Sequence, residues 1–94
     1  MTNLRKEAAH RQCQVRLDGC MTEPTVLAHL QYPAGVRGMG QKAPDLLGAW
    51  CCWQCHEHVD RRNTKIPVEE ARMAMYEGTV RTIRALILEG KVTW

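Results

Sequence analysis

The sequence predicts a small α+β domain, with short strands in its first half, helices in its second and a sulfur-ligated metal joining them. Three observations carry this. Cys52 and Cys55 are separated by two residues, and a second pair, Cys13 and Cys20, lies upstream. Alternating or β-branched apolar runs precede residue 52, and helical periodicity follows residue 53. The chain has 94 residues and no Phe, so its core is modest, and a structural metal would supply folding free energy that such a core lacks.

Residues 4–11 suit a short helical turn. Cys13 to Leu17 alternates and reads as a strand, and Asp18-Gly19 is a hairpin-type turn leading into Cys20. Residues 25–30 are β-branched at their start and apolar, a second strand. Within it Leu27 and His29 share one face, and Val26, Ala28 and Leu30 the other. Residues 31–45 hold Pro33, Gly35, Gly38, Gly40 and Pro44 and read as a long loop, a length that is usually functional or disordered. Residues 46–51 form a short strand entering the Cys52–Cys55 turn, and a helix begins near Trp53. Asn63 to Ile66 breaks it. Pro67 then occupies a first helical position, with Glu69 and Glu70 in the first turn. Gly78 would kink or divide the helix that follows, and Gly90 would stop it. The expected organisation is one domain over 1–94, with a core at 13–62 and a C-terminal helix or helix pair at 67–89. Apolar positions at 79–89 suit the core or a homodimer face, and the core is favoured because monomers seldom expose large apolar patches.

No apolar signal segment opens the chain and no run is long enough to span a membrane, which places it in the cytoplasm with reduced thiols. There a C-x2-C pair favours metal or redox chemistry over disulfides. Four thiolates from Cys13, Cys20, Cys52 and Cys55 would close a tetrahedral Zn²⁺ site that is structural, because no open position remains. Cys51 alternates away and reads as a free thiol. A dithiol redox role for Cys52 and Cys55 is disfavoured, since no βαβ pattern surrounds them.

A second constellation lies on the helix after the turn. His56 and Asp60 are four residues apart and share a face. Such a pair holds one hard divalent ion and leaves positions open for water and phosphate; the plainer alternative is a hydrogen bond on the helix surface. His58 points to another side and reads as a surface residue. The formal charge of +3 is a weak argument for nucleic acid, and distribution matters more. Among local basic clusters, which include Arg5-Lys6, the candidates for phosphate contact are Arg37 and Lys42 in the glycine-rich loop and Arg61 and Arg62 after the helix. With few aromatics, a base-stacking platform is not expected.

The order Cys-x6-Cys, Leu-Ala-His-Leu, Pro-Asp-Leu-Leu and Cys-x2-Cys-His resembles a His-Me finger (HNH-type) endonuclease. The nearer resemblance is to small prophage-borne proteins of the YbcO type. It rests on Arg11 to Arg16, Val26 to His29, Pro44 to Leu46 and Cys55 to Arg62, and covers nearly the whole chain. It implies a zinc-stabilised ββα-metal core in which strands and a helix clamp a catalytic Mg²⁺ or other divalent ion. It further implies His29 as general base and His56 as a ligand of that ion. Asp45 stands where the family has a central Asn. Ala28 stands where these enzymes carry Asp or His as a ligand, and Asp60 is its expected replacement. The expected activity is metal-dependent hydrolysis of DNA phosphodiester bonds, with no membrane partner. The competing expectation is a catalytically inactive zinc module that binds nucleic acid or protein, for which Ala28 is the supporting feature.

Overall fold

The computed structural model describes residues 3–32 and 44–92; Arg37 and Lys42 lie outside them. In chain order the elements are α1 (Leu4–Glu7), β1 (Thr25–His29), β2 (Gly48–Cys52), α2 (Trp53–Val59) and α3 (Val68–Leu88). This is the α+β arrangement expected: a two-stranded sheet, a helix directly after its second strand and a C-terminal helix. No described helix is long and apolar enough to cross a membrane.

The strands pair antiparallel, with Thr25 opposite Cys52, Leu27 opposite Trp50 and His29 opposite Gly48. Every residue of β2 is buried, so it reads as an apolar run with no alternation. Gly48 is needed for the close pairing, because a Cβ there would lie 2.6 Å from the Ala28 carbonyl oxygen. On β1, Ala28 is buried and His29 partly buried, while Val26 is 53% exposed.

Residues 13–17 differ from the expected strand. Cys13, Val15 and Leu17 are buried, as alternation requires. The segment makes only isolated backbone bonds, from Cys13 N–H to the Thr22 carbonyl at 2.6 Å and from Gln14 N–H to the Trp50 carbonyl at 2.8 Å. Arg16, at φ +60°, turns the chain before a ladder can form. Alternating burial here comes from wedging between the sheet and α3.

α3 is one helix; Gly78 does not divide it. Its role is packing: a Cβ on Gly78 would lie 2.9 Å from Val15 Cγ2 and 3.0 Å from the Gln14 carbonyl oxygen. Pro67 is the N-cap residue, one position earlier than expected, with Glu69 and Glu70 in the first turn. The helix closes with Gly90 N–H on the Ile87 carbonyl and Lys91 N–H on the Leu86 carbonyl, the paired bonds of a Schellman motif. Its inner face presents Ala71, Met75, Thr79, Thr82 and Leu86. Thr82 Oγ1 accepts a hydrogen bond from Trp50 N–H at 3.0 Å, joining α3 to β2. The expectation that the apolar residues of 79–89 are core holds only for part of them. Val80 is 65% and Leu88 69% exposed, because they lie off the buried stripe set by Thr79, Thr82 and Leu86.

The two ends of the described chain are tied by charge. Arg11 makes a bidentate pair with Glu89 at 2.6 Å and a 2.9 Å pair with Glu7, and Lys91 Nζ meets Glu7 at 2.8 Å. The Arg11 guanidinium also sits 4.5 Å from the centre of the Trp50 ring. Hydrogen bonds from Lys91 and Arg11 hold Glu7 below the usual carboxylate range, and Arg11 does the same to Glu89.

Candidate active site and metal centre

Cys52 ends β2 and caps α2. Its Sγ accepts from Cys55 N–H at 3.5 Å, so one residue closes the strand, starts the helix and offers a sulfur. Cys13, Cys20, Cys52 and Cys55 place their sulfurs within 4.8 Å of one another. Six intervening residues between Cys13 and Cys20 are accommodated by the turn in which Cys20 N–H bonds the Leu17 carbonyl.

The cluster fits a tetrahedral ion. Bonds of about 2.3 Å from zinc to sulfur imply sulfur–sulfur edges near ~3.8 Å, and Cys20 Sγ lies 3.8 Å from Cys52 Sγ. Backbone N–H groups of Leu17, Met21 and Thr22 donate to Cys55, Cys52 and Cys20 at 3.3–3.4 Å, as thiolate ligands require. Neighbouring Cys51 and Cys55 thiols hold Cys13 far below the usual thiol range, while contact with Cys13 and burial push Cys51 and Cys55 upward. Sulfurs this close repel one another when all are ionised, so a full thiolate set calls for a cation. Cys51 stays outside the four and donates weakly to the Cys52 carbonyl at 3.4 Å. It is fully buried.

His29, His56, Asp60, Arg62, Gln31 and Arg5 line one cleft of about 620 Å³. His29 at the end of β1 and His56 on α2 thus share a cavity. His29 Nε2 lies 2.8 Å from Asp45 Oδ1. An ionised carboxylate only accepts, so this bond puts the proton on Nε2 and leaves Nδ1 as the basic nitrogen. The contact with His29, and then Arg5, holds Asp45 below its ordinary range. On α2, His56 Nε2 lies 3.3 Å from Asp60 Oδ2. The contact is the i,i+4 pairing that one helix face allows, at the distance of a direct hydrogen bond. Asp60 Oδ1 accepts from Gln31 Nε2 at 2.9 Å, which holds the carboxylate against the end of β1. Among the described residues, the four cysteines are the only group of three or more His, Cys, Asp or Glu close enough to share an ion. In the cleft, His56 and Asp60 form a pair.

The basic candidates divide. Arg62 lines the cleft, 3.6 Å from Asp60. Arg61 is directed elsewhere: its Nη1 donates to the Ile66 carbonyl at 2.9 Å, and its own backbone is left-handed at φ +62°, closing α2. Arg37 and Lys42 fall outside the described residues. His58, expected at the surface, is buried at 6% exposure because its position on α2 faces inward with Cys55 and Val59. Sequence reasoning passed over two cleft residues. Arg5 stood out only as part of a basic pair, and Gln31 carried no signal.

A two-stranded sheet followed directly by a helix, with a four-sulfur cluster and a cleft that holds two histidines, is a ββα-metal-like arrangement. Comparison with known proteins agrees. The sequence model of the family described as "Putative nuclease YbcO" matches residues 2–91, and the chain belongs to that family. Relatives with that description from Escherichia coli K12 and from Enterobacteria phage 82 are each 38% identical over 95 residues, covering 98% of this chain and 98% of theirs. A solved structure described as that of "a putative bacteriophage protein" from Escherichia coli K-12 superposes with a TM-score of 0.77 at 35% identity, over 94% of this chain and all of that one.

Proposed function

We propose that this chain is a single-domain, metal-dependent endonuclease of prophage origin that hydrolyses phosphodiester bonds in DNA, acting in the cytoplasm. The observation that carries this reading is the shared cleft, which is lined by His29, hydrogen-bonded to Asp45, and by the adjacent His56 and Asp60. His29 Nδ1 takes the proton from an attacking water, while Asp45 on Nε2 stabilises the imidazolium that results. His56 and Asp60 hold the catalytic ion, Mg²⁺ or another divalent cation. Such an ion, when bound, neutralises charge on the phosphorane and the leaving oxygen. Arg62 contacts the phosphate backbone. Cys13, Cys20, Cys52 and Cys55 hold Zn²⁺ and keep β2 and α2 in register, which sets His56 relative to His29.

The experiment is cleavage of supercoiled plasmid and of single-stranded and branched DNA with Mg²⁺, Mn²⁺ or Ni²⁺. Nicking that is lost in both His29→Ala and His56→Ala, with far-UV circular dichroism unchanged, is the expected result. Undiminished nicking by His29→Ala would remove the general base from the mechanism. A second reading, a DNA- or protein-binding module without activity, draws on Ala28, which offers no ligand atom where these enzymes carry one. It predicts DNA binding with no cleavage under any of these ions.

A further inference from the structure

The Asp45 carboxylate that holds His29 also holds Arg5, and on the same oxygen. His29 Nε2 reaches Asp45 Oδ1 at 2.8 Å and Arg5 Nε reaches it at 3.1 Å. Arg5 is engaged through Nε alone; among the described residues its two terminal nitrogens have no hydrogen-bond partner. Its side chain is 62% exposed and lines the cleft that holds both histidines.

The backbone that presents Arg5 is well anchored. Asn3 Oδ1 accepts from Arg5 N–H and Lys6 N–H at 3.1 and 3.3 Å. Ala8 is fully buried, and the Thr25 hydroxyl donates to the Ala8 and Arg11 carbonyls. Thr25 opens the strand that His29 closes, so the N-terminal turn is fastened to the element carrying the proposed base. An exposed side chain thus stands on an anchored turn at the lining of the cleft. The Arg5–Asp45 pair is exposed, and pairs of that kind contribute little to folding. Among the described residues its geometry leaves the planar fork of terminal nitrogens unpartnered, the arrangement that matches two phosphate oxygens.

The geometry points to Arg5 as a phosphate clamp of this cleft: its guanidinium fork takes a backbone phosphate of the bound strand beside the Asp45–His29 pair. This rests on the nuclease reading for its substrate class, DNA. Arg5 and Arg62 then border the cleft from different elements, Arg5 by way of Asp45 and Arg62 by way of Asp60.

The test is binding of a short fluorescein-labelled DNA duplex, followed by anisotropy over a series of salt concentrations without added divalent ion, with cleavage measured in parallel. Arg5→Ala is expected to weaken binding roughly tenfold at low salt and to flatten the dependence of log affinity on log salt by about one. Arg5→Lys keeps the charge without the fork, so it should retain the salt slope and recover only part of the affinity. Lys6→Ala, on the same turn but outside the cleft lining, serves as the control and should bind as wild type. Wild-type affinity and slope in Arg5→Ala would overturn the clamp, as would a wild-type chain that binds no DNA. If binding depends on Arg5 but no ion supports cleavage, the clamp stands and the nuclease reading falls.

Discussion

His29 and Asp45 are 16 positions apart in the chain, yet His29 Nε2 and Asp45 Oδ1 lie 2.8 Å apart. The pair joins the end of β1 to the segment that leads into β2. A carboxylate there determines which imidazole nitrogen carries the proton, and it adds a charge that an amide would not.

Asp45→Ala should therefore impair turnover more than substrate affinity. Loss of tautomer control and imidazolium stabilisation is expected to cost about 10²–10⁴-fold in kcat, with little change in KM. Asp45→Asn keeps an acceptor and should fall in between. Steady-state cleavage rates of the two variants check this; equal kcat in wild type and Asp45→Ala would separate Asp45 from the proton path.

Removing one sulfur should unfold the domain. A structural zinc contributes roughly 10–16 kcal/mol in small modules, comparable to or larger than the ~5–15 kcal/mol total stability of a domain. Cys13→Ser and Cys52→Ser are expected to lose bound zinc by elemental analysis and to lose cooperative thermal unfolding. Cys51→Ala, outside the four, should keep one zinc per chain and lose only about 1 kcal/mol.

Gly78→Ala reverses the usual helix rule. In an open helix, alanine would gain about 1 kcal/mol over glycine. Here the new Cβ would meet Val15 Cγ2 at 2.9 Å and the Gln14 carbonyl oxygen at 3.0 Å. The second contact is backbone and cannot rotate away, so a net loss of about 1–3 kcal/mol is expected. Urea denaturation would show it as a lower midpoint; a higher one would mean that the loop at 14–15 gives way freely.

The charge tie between the chain's two ends should be sensitive to acid. Glu7 and Glu89 are both held below their ordinary value of 4.5 by their basic partners. A depressed carboxylate stabilises the fold above its unfolded value, and that contribution disappears as pH falls through the lowered folded one. Glu89→Gln should thus lower the melting temperature at neutral pH and converge on wild type well below pH 4.5. A constant difference across that window would show that packing, and not ionisation, links Glu89 to Arg11.

Much of this was legible in the order of residues. C-x2-C at 52–55 predicts a helix start and a metal ligand pair, and the structure makes Cys52 both cap and cluster member. His56 and Asp60 share a face because four residues are about one helical turn, and no tertiary contact is needed to know it. The strand at Thr25–His29 and the helix stop at Gly90 follow from β-branching and glycine. Other features were not legible. Cys13 to Leu17 has a strand's alternation but lacks a partner strand, and pairing is a property of the neighbour. His58 looked like a surface residue until α2 was placed against the core.

Local periodicity and spacing, acting within a few residues, determined the helices and the two paired strands, the Cys52–Cys55 pair and the His56–Asp60 face. Tertiary structure alone decided that Asp45 meets His29, that Arg5 joins them, that Gly78 is packed against Val15 and that Arg61 turns away to a backbone carbonyl. The physical reason is range. Helix and turn preferences are set by near neighbours along the chain, whereas a 2.8 Å bond across 16 positions depends on how β1, β2 and α1 are docked, which no single stretch of sequence encodes.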